Sequence, residues 1–195
     1  MPKVTEQYLD ARREQILDAA RRCFLRNGFH ATTMQDLFAE AGLSSGAVYR
    51  YFASKDDVVL AIAESTLREV VALIGAVAQQ PRGGSIGAGL AAATDLVRAK
   101  EERDGLAGLG IQVWAEALRN PSLADQMRRL LTQARADITE LVQHHQDSGD
   151  LPSQTPSAAL ASALFCILPG YILQLALLGP DSMRGIPEAL RALWP

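Results

Sequence analysis

The residue types best suited to specific contacts with another molecule are concentrated between positions 44 and 51. Four small residues, Ser44 to Ala47, come first, and Tyr49, Arg50 and Tyr51 follow almost directly. Small residues at the start of a helix let its backbone approach the base edges of DNA, and the polar side chains behind them can reach bases or phosphates. An ordinary surface helix would carry Glu and Lys here, so the segment favours nucleic-acid recognition.

A helix-turn-helix arrangement positions these residues. The first helix of the pair is predicted to begin with Thr32 as its N-cap, because Thr32 and Gln35 fit a capping box. It runs for about eight residues to Gly42, which can take the left-handed conformation of a tight turn. The second helix follows at Ser45. Since this spacing also occurs at bundle corners, the side-chain chemistry decides between the two interpretations.

A longer helix from about Tyr8 to Asn27 completes a three-helix module. Its apolar residues recur at helical spacing and Gly28 supplies a stop. Arg12 and Arg13 lie off the apolar stripe, where they either contact phosphates or belong to a solvated face. The stripe consists of Ile16, Ala20, Cys23 and Phe24.

These residues together closely resemble the signature of the TetR (tetracycline repressor) family of transcriptional regulators. The resemblance covers about residues 12–62 and is carried by Phe29-x-x-Thr32-Thr33-Met34, Leu37, the run from Ala41 to Phe52, and Ser54-Lys55. It implies an N-terminal DNA-binding domain over residues 1–58, and a helical ligand-binding and dimerisation domain over residues 59–195. Trp114 to Pro121 and the later apolar helix also resemble one common C-terminal subtype.

The resemblance implies two sets of DNA contacts. Phosphates would meet Thr33, Tyr51 and Lys55. Base edges in the major groove would meet Ser45, Gly46, Tyr49 and Arg50, with Arg50 suited to guanine because a guanidinium can pair with O6 and N7. Many family members carry His or Trp at position 50, Lys at 45 and Thr at 47, so no operator sequence can be transferred. Tyr49 has an alternative role, packing against the first helix.

The rest of the chain predicts an all-α protein of about nine helices, because no strand-like alternation appears. The helices are expected at about 55–79, 90–101, 106–119, 121–146, from Thr155-Pro156 to Leu178, and 187–193, with a loop over 81–89. Asn120-Pro121 marks a helix start. The apolar helix that ends at Leu178 is expected to bend at Pro169-Gly170.

That apolar helix has two possible partners. It is about long enough to span a membrane, but it contains Gln174 and a Pro-Gly pair and lacks flanking Lys/Arg clusters. A helix that is apolar on all sides also suits a subunit interface. We therefore expect a homodimer through this helix and the C-terminal helix, and no membrane partner. Its start is rich in small residues, namely Ala158, Ala159, Ala161 and Ala163.

Large side chains in the C-terminal region are candidates for an effector cavity. They are Trp114, Met127, Phe165 and Tyr171. Each is also an ordinary core residue type. The apolar surroundings favour a small hydrophobic ligand over a sugar or an ion.

Charge, cysteine and histidine content indicate how DNA would be contacted and whether a metal or cofactor site is expected. The net charge is −3, and residues 1–58 carry eight Lys/Arg and eight Asp/Glu, so DNA contacts depend on placed residues and not on bulk charge. Cys23 and Cys166 are expected to be packed core thiols. His144 and His145 are expected at a solvated helix end, with no metal site. No cofactor is implied.

Taken together, the sequence predicts a cytoplasmic DNA-binding transcriptional repressor that binds a palindromic operator as a dimer and is released by the ligand. The alternatives are an activator of the same family, or a helical small-molecule-binding protein without DNA function. No converging His/Asp/Ser or Cys/His group and no phosphate-binding glycine loop is present, so an enzyme is not expected. The ligand, the operator and the target genes are not encoded in a readable form.

Overall fold

The computed structural model describes residues 6–78 and 85–194, and every regular element in these ranges is a helix. The all-α prediction is confirmed. The α-helices are α1 (Glu6–Ala31), α2 (Met34–Ala41), α3 (Ser45–Tyr49), α4 (Lys55–Ala78), α5 (Ile86–Asp104), α6 (Leu106–Ala117), α7 (Pro121–Asp147), α8 (Ser157–Phe165), α9 (Ile167–Leu178) and α10 (Ile186–Leu193), and a 3-10 helix spans Pro180–Met183. These two ranges contain ten α-helices, against about nine expected helices, because the long apolar helix is divided in two.

The chain divides by its internal contacts into two units, Met1–Ser65 and Thr66–Pro195. The first unit holds α1, α2, α3 and the beginning of α4, and the second holds the remainder of α4 and the later helices. The functional boundary that the sequence places between residues 58 and 59 stays a prediction.

The core of the first unit forms as the apolar spacing predicts. The stripe of α1 is fully buried, and Leu37 from α2 and Val48 from α3 are also inaccessible to solvent. Gly28 interrupts α1 with φ 78° and ψ 166°, a conformation that glycine adopts without steric cost. The predicted stop is therefore a kink, after which one short turn continues to Ala31.

The start of α2 differs from the prediction by one residue. Thr33, and not Thr32, is the N-cap: its Oγ1 accepts a hydrogen bond from Asp36 N at 3.2 Å, and Asp36 Oδ2 accepts from Thr33 N at 2.8 Å. Thr32 is fully buried and donates to the carbonyl of Gly28 at 2.9 Å. Two adjacent threonines each offer a capping oxygen, so the sequence pattern does not distinguish them, and burial of Thr32 decides the register.

The second unit begins its helical bundle earlier than expected. Helix α5 starts at Ile86 and not at residue 90, so the predicted loop over 81–89 is wrong for its last four residues, while residues 79–84 lie outside the described part of the chain. Gly87 is a packing residue: a Cβ there would lie less than 3.0 Å from the carbonyl oxygens of Leu190 and Trp194. Gly87 therefore admits α10 and does not break the helix.

The apolar stretch Ser157–Leu178 is long and apolar enough to cross a membrane by length and composition, yet it is two helices. The break falls at Cys166, three residues before the predicted bend. Pro169 lacks an N–H and its ring crowds the carbonyl of Phe165, four residues earlier, so α8 ends there. One face of the pair is buried in the core of the second unit, namely Ala161, Leu164, Leu168, Tyr171, Ile172 and Leu175.

Candidate nucleic-acid interface

The turn between α2 and α3 is built by one glycine and one cap. Gly42 has φ 65° and ψ 32°, the left-handed conformation that the sequence predicts there. Ser44 is the N-cap of α3, since its hydroxyl accepts a hydrogen bond from Ala47 N at 3.3 Å. Helix α3 is only five residues long, so tertiary packing must hold it in place.

That packing comes from two side chains on the inner side of α3. Val48 is fully buried, and Phe52, in the turn that follows α3, is 4% exposed. With these two residues facing inward, the opposite side of the helix is left to solvent. The residues that it exposes are the predicted base-contacting set: Ser45, Gly46, Tyr49 and Arg50.

Tyr49 is supported by α2. Its ring lies edge-to-face on Phe38, with centroids 5.4 Å apart, and half of the side chain remains exposed. The described ring contact of Tyr49 is thus with α2, and its packing against the first helix stays a prediction. A ring held on one edge and open on the other is fixed in orientation while still accessible to a ligand.

Arg50 has no partner in the described part of the chain. Among the described residues, none forms a hydrogen bond or an ion pair with its guanidinium, and the side chain is exposed. All five N–H donors of this fork are thus available to an external acceptor. The local structure supplies a positive charge at the end of α3 that no residue between 6 and 65 neutralises by direct contact.

The predicted phosphate contacts lie at three element ends. Thr33 is exposed at the start of α2, Tyr51 is half-buried after α3, and Lys55 begins α4. Lys55 Nζ donates to the carbonyl of His30 at 3.1 Å, which joins the start of α4 to the chain just before Thr33. Ser54 caps α4 through reciprocal hydrogen bonds with Asp57.

Glu40 is a positioning residue that the sequence did not single out. Its carboxylate accepts from Arg22 Nε and from Arg26 Nη2, each at 2.7 Å, and joins α2 to α1. The hydrogen bonds from the two arginines lower the pKa of Glu40. Gln15 adds a second link by donating to the carbonyl of Ala41 at 2.9 Å. A single Glu in α2 gives no spacing signal, so only the three-dimensional contact reveals it.

The first two arginines of α1 are engaged within the unit. Arg12 donates to Tyr8 and to Gln15, and the Arg13 guanidinium lies 5.3 Å from the centre of the Phe52 ring. Both remain possible phosphate contacts, since Arg13 is exposed and Arg12 partly exposed. Their present contacts show that a solvated face is an incomplete description of this side of α1.

Neither of the two clefts formed by described residues brings the four candidate effector residues together. Phe165 lines an apolar cleft between α5, α7, α8 and α9, whereas Tyr171 lines a polar cleft formed with α5, the 3-10 helix and α10. Trp114 packs, half-buried, against the core of the second unit, and Met127 is half-buried on α7. The two described clefts share no lining residue.

Two minor expectations need correction. Cys23 is buried as expected, and burial raises its pKa, but Cys166 is exposed because it lies on the outer side of the α8–α9 break. His145 is not solvated: it is 5% exposed, and its Nδ1 lies 3.2 Å from Asp150 Oδ2. Hydrogen bonds from Ser148 and His145 lower the pKa of Asp150. No group of three potential metal ligands occurs among the described residues.

The two units match known families separately. Residues 16–62 match the bacterial regulatory proteins of the tetR family, and residues 88–193 match the C-terminal domain of BetI-type transcriptional repressors. A helix-turn-helix unit with an exposed second helix, followed by such a domain, defines a DNA-binding transcriptional regulator. The chain belongs to the TetR family, and within that family its C-terminal half is of the BetI type.

Individual relatives agree with this assignment over most of the chain. The HTH-type transcriptional repressor Rv1474c of Mycobacterium tuberculosis is 32% identical over 184 residues, covering 94% of this chain and 92% of the relative. The HTH-type transcriptional regulator YfiR of Bacillus subtilis is 33% identical over 177 residues, covering 88% and 83%. TetR-family regulators are soluble DNA-binding proteins, so the membrane alternative for the apolar stretch loses its support.

Solved structures show the same fold. GusR of Salmonella enterica superposes with a TM-score of 0.73 at 23% identity, covering 98% of this chain and 96% of GusR. A complex of SmeT with triclosan superposes with a TM-score of 0.68 at 22% identity, covering 94% and 91%. At these identities the likeness concerns the fold alone.

Proposed function

We propose that this regulator is a cytoplasmic repressor that binds a palindromic operator as a homodimer and leaves it when a small hydrophobic ligand binds. The observation that carries the proposal is the exposed side of α3, which ends in an arginine with no partner among the described residues. Relatives that are named repressors support the sign of regulation. No catalytic activity, cofactor or metal is part of the proposal.

The side of α3 opposite Val48 would read the bases. Ser45 and Gly46 are small enough to let the helix backbone approach base edges, Tyr49 would contact bases beside them, and Arg50 would donate to guanine O6 and N7. Thr33, Tyr51 and Lys55 would meet phosphates and set the register. Because the hydroxyl and the N–H of Thr33 both donate to Asp36 Oδ2, a phosphate contact from Thr33 would have to replace one of these hydrogen bonds.

A dimer is needed because one first unit offers little attraction for DNA. Residues 1–58 are electrically balanced, and several of the cations of α1 are paired internally with Glu14, Asp18 or Glu40. Non-specific binding depends on the number of phosphates neutralised, so a single copy would bind weakly. Two copies related by a two-fold axis would read two half-sites and combine their contacts.

The outer face of the α8–α9 pair supports dimerisation. We call this face the α8–α9 stripe; its residues recur at alternating spacings of four and three, opposite the buried face described above. All are exposed except Gly170, which is partly buried, and Leu173 and Leu177 expose 42% and 70% of their surface. The stripe consists of Ala159, Ala163, Cys166, Gly170, Leu173 and Leu177.

The sizes of these residues suit an antiparallel second copy. The small residues lie at the first end of the stripe and the two leucines at the last end. Antiparallel packing about an axis near Leu168 would place Ala159 opposite the second copy's leucine 177, and Ala163 opposite its leucine 173. Leucines would then meet alanines at both ends of the contact, and small residues would allow close approach at its centre, as close helix packing requires. Helix α10, with Leu193 67% exposed, would extend the surface.

The apolar cleft at Phe165 would admit the effector. Its volume is only about 10 Å³, about enough for one water molecule, so a ligand must separate the helices that line it. A ligand that binds only the opened form shifts the population toward that form. Triclosan in the SmeT complex supports a hydrophobic compound as the class of ligand.

Selection of binding sites from random DNA by the full-length protein tests the proposal. We expect enrichment of an inverted repeat whose half-sites are separated by about one or more turns of the double helix, roughly 10 base pairs each. An enriched motif without two-fold symmetry, or no enrichment at all, would contradict binding of a palindrome by a dimer.

A further inference from the structure

The second unit contains a polar cleft that the proposed function does not use. It lies between α5, α9, the 3-10 helix and the start of α10, and its volume is about 230 Å³, against about 10 Å³ for the apolar cleft at Phe165. It shares no lining residue with the apolar cleft at Phe165. Its polar lining consists of Asp95, Arg98, Tyr171, Arg184 and Glu188.

Tyr171 is the unusual member of this lining. Its side chain is 4% exposed, on the side of α9 opposite the α8–α9 stripe. No hydrogen bond joins its hydroxyl to any residue in the described part of the chain. Burial raises the pKa of Tyr171, so the hydroxyl keeps its proton at neutral pH and is available as a donor. Since no fully buried side-chain polar atom of the described residues lacks a partner, this unbonded hydroxyl is accessible, and a ligand in the cleft can accept a hydrogen bond from it.

The charges around the hydroxyl leave donors in excess. Arg191 contacts both lining carboxylates, at 3.6 Å from Asp95 and 3.9 Å from Glu188. Arg98 contacts Asp95 through a single long bond of 3.4 Å, which occupies one of the five N–H groups of its fork. Each lining carboxylate thus has an arginine within ion-pair distance, while Arg98 and Tyr171 still have hydrogen bonds to donate.

We propose that this cleft binds a small organic carboxylate with an apolar body, held by Arg98 and the Tyr171 hydroxyl. A carboxylate offers two coplanar oxygens, which match the guanidinium fork, and either oxygen can also accept from a phenol. Pro180, Met183 and Pro187 line the same cleft and contact the apolar body. The site is separate from the proposed DNA and effector sites, so its test does not depend on either of those proposals.

Titration of the full-length protein with benzoate, followed by ligand-observed NMR and by the melting temperature, tests the site. Benzamide is the matched neutral probe, since it has the same shape without the charge. We expect saturable binding of benzoate and at least tenfold weaker binding of benzamide. Equal binding of the two probes, no saturable binding of benzoate, or binding of inorganic phosphate in preference to benzoate would overturn the proposal.

Three variants localise the binding. Tyr171→Phe and Arg98→Gln should each weaken benzoate binding about tenfold or more, because each removes a hydrogen bond to a charged group. Arg128→Gln, an exposed arginine on α7, should leave it unchanged. Tyr171→Phe should melt no lower than the parent without ligand, since its hydroxyl bonds no described residue, and should show a smaller rise with benzoate. Unaltered benzoate binding in both Tyr171→Phe and Arg98→Gln would contradict the site.

Discussion

Substitution of Gly46 is expected to affect DNA binding without lowering the stability of the fold. A Cβ at this position would meet no protein atom within 4 Å, so Gly46→Ala should leave the fold intact, or stabilise α3 by up to about 1 kcal/mol. If α3 approaches base edges closely, the added methyl group should nevertheless weaken binding to the selected duplex about tenfold. Parallel measurement of melting temperature and DNA affinity checks this. Undiminished affinity would show that α3 does not approach the bases at Gly46.

The Glu40 carboxylate makes the first unit sensitive to acid. Its pKa lies below the usual 4.5 because Arg22 and Arg26 hydrogen-bond to it. A lowered pKa adds stability above the unfolded value, and this stability is lost as the pH falls through the folded pKa. Asp36, whose pKa is lowered by Thr33, adds to the loss in the same direction.

Glu40→Gln should therefore flatten the acid dependence of the first unit. Hydrogen exchange in the α2 segment, measured from pH 6 down to about pH 3, should accelerate less steeply for the variant once the intrinsic exchange rate is removed. Asp10→Asn is the control, since Asp10 is exposed and forms no ion pair with a described residue. A Glu40→Gln profile that matches that of Asp10→Asn would contradict the role of the Glu40 ion pairs.

At the scale of helices, Gly87 fixes how closely α5 and α10 approach. Gly87→Ala would place a Cβ against two backbone carbonyls of α10 and its end, where no side chain can move aside. We expect a loss of about 1–3 kcal/mol in the free energy of unfolding of the second unit. Urea unfolding followed by the fluorescence of Trp114 and Trp194 measures it, since the chain has two tryptophans and both lie in this unit.

Gly110→Ala is the matched control for that measurement. Its added Cβ would meet Ile172 Cγ2 at 3.7 Å, an ordinary van der Waals contact, so the variant should be neutral or slightly stabilising. Equal unfolding midpoints for Gly87→Ala and Gly110→Ala would show that α10 can move away at little cost.

The helices also show how far the sequence alone can predict this structure. Local sequence signals predict a helix boundary where a single residue determines it: Gly42 closes the turn, and Asn120 caps α7 by accepting from Leu123 N at 3.2 Å. They do not predict a boundary that depends on a residue distant in sequence. The glycines after residue 85 suggested a loop, and only the proximity of α10 explains Gly87.

The candidate site shows the same division. The sequence predicts which residues of α3 are exposed, because Val48 is the apolar residue that the helix buries. The support of Tyr49 by Phe38 and the link through Glu40 depend on side chains from neighbouring helices, and no spacing rule encodes them. Side-chain size identifies candidates for the effector cavity, but it does not reveal that Phe165 and Tyr171 line different clefts.

For the whole molecule, the α8–α9 stripe predicts the oligomeric state. Leu177→Glu places a charge in the proposed dimer contact and should convert the protein to a monomer, because burying an unpaired carboxylate is costly. Leu118→Glu is the control, since Leu118 is 89% exposed and lies outside the stripe. Sedimentation velocity should show a dimer for the parent and for Leu118→Glu. If the Leu177→Glu variant is still a dimer, the dimer contact does not involve this face.

The central claim, that Arg50 reads a base, is tested most directly by comparing Arg50→Lys with Arg50→Ala on the selected duplex and on a scrambled one. Lysine keeps the charge but loses the two-pronged guanidinium geometry. We expect both variants to lose about tenfold or more of the preference for the selected duplex, while Arg50→Lys retains the affinity of the parent for the scrambled one. An unchanged preference in Arg50→Ala would contradict the account.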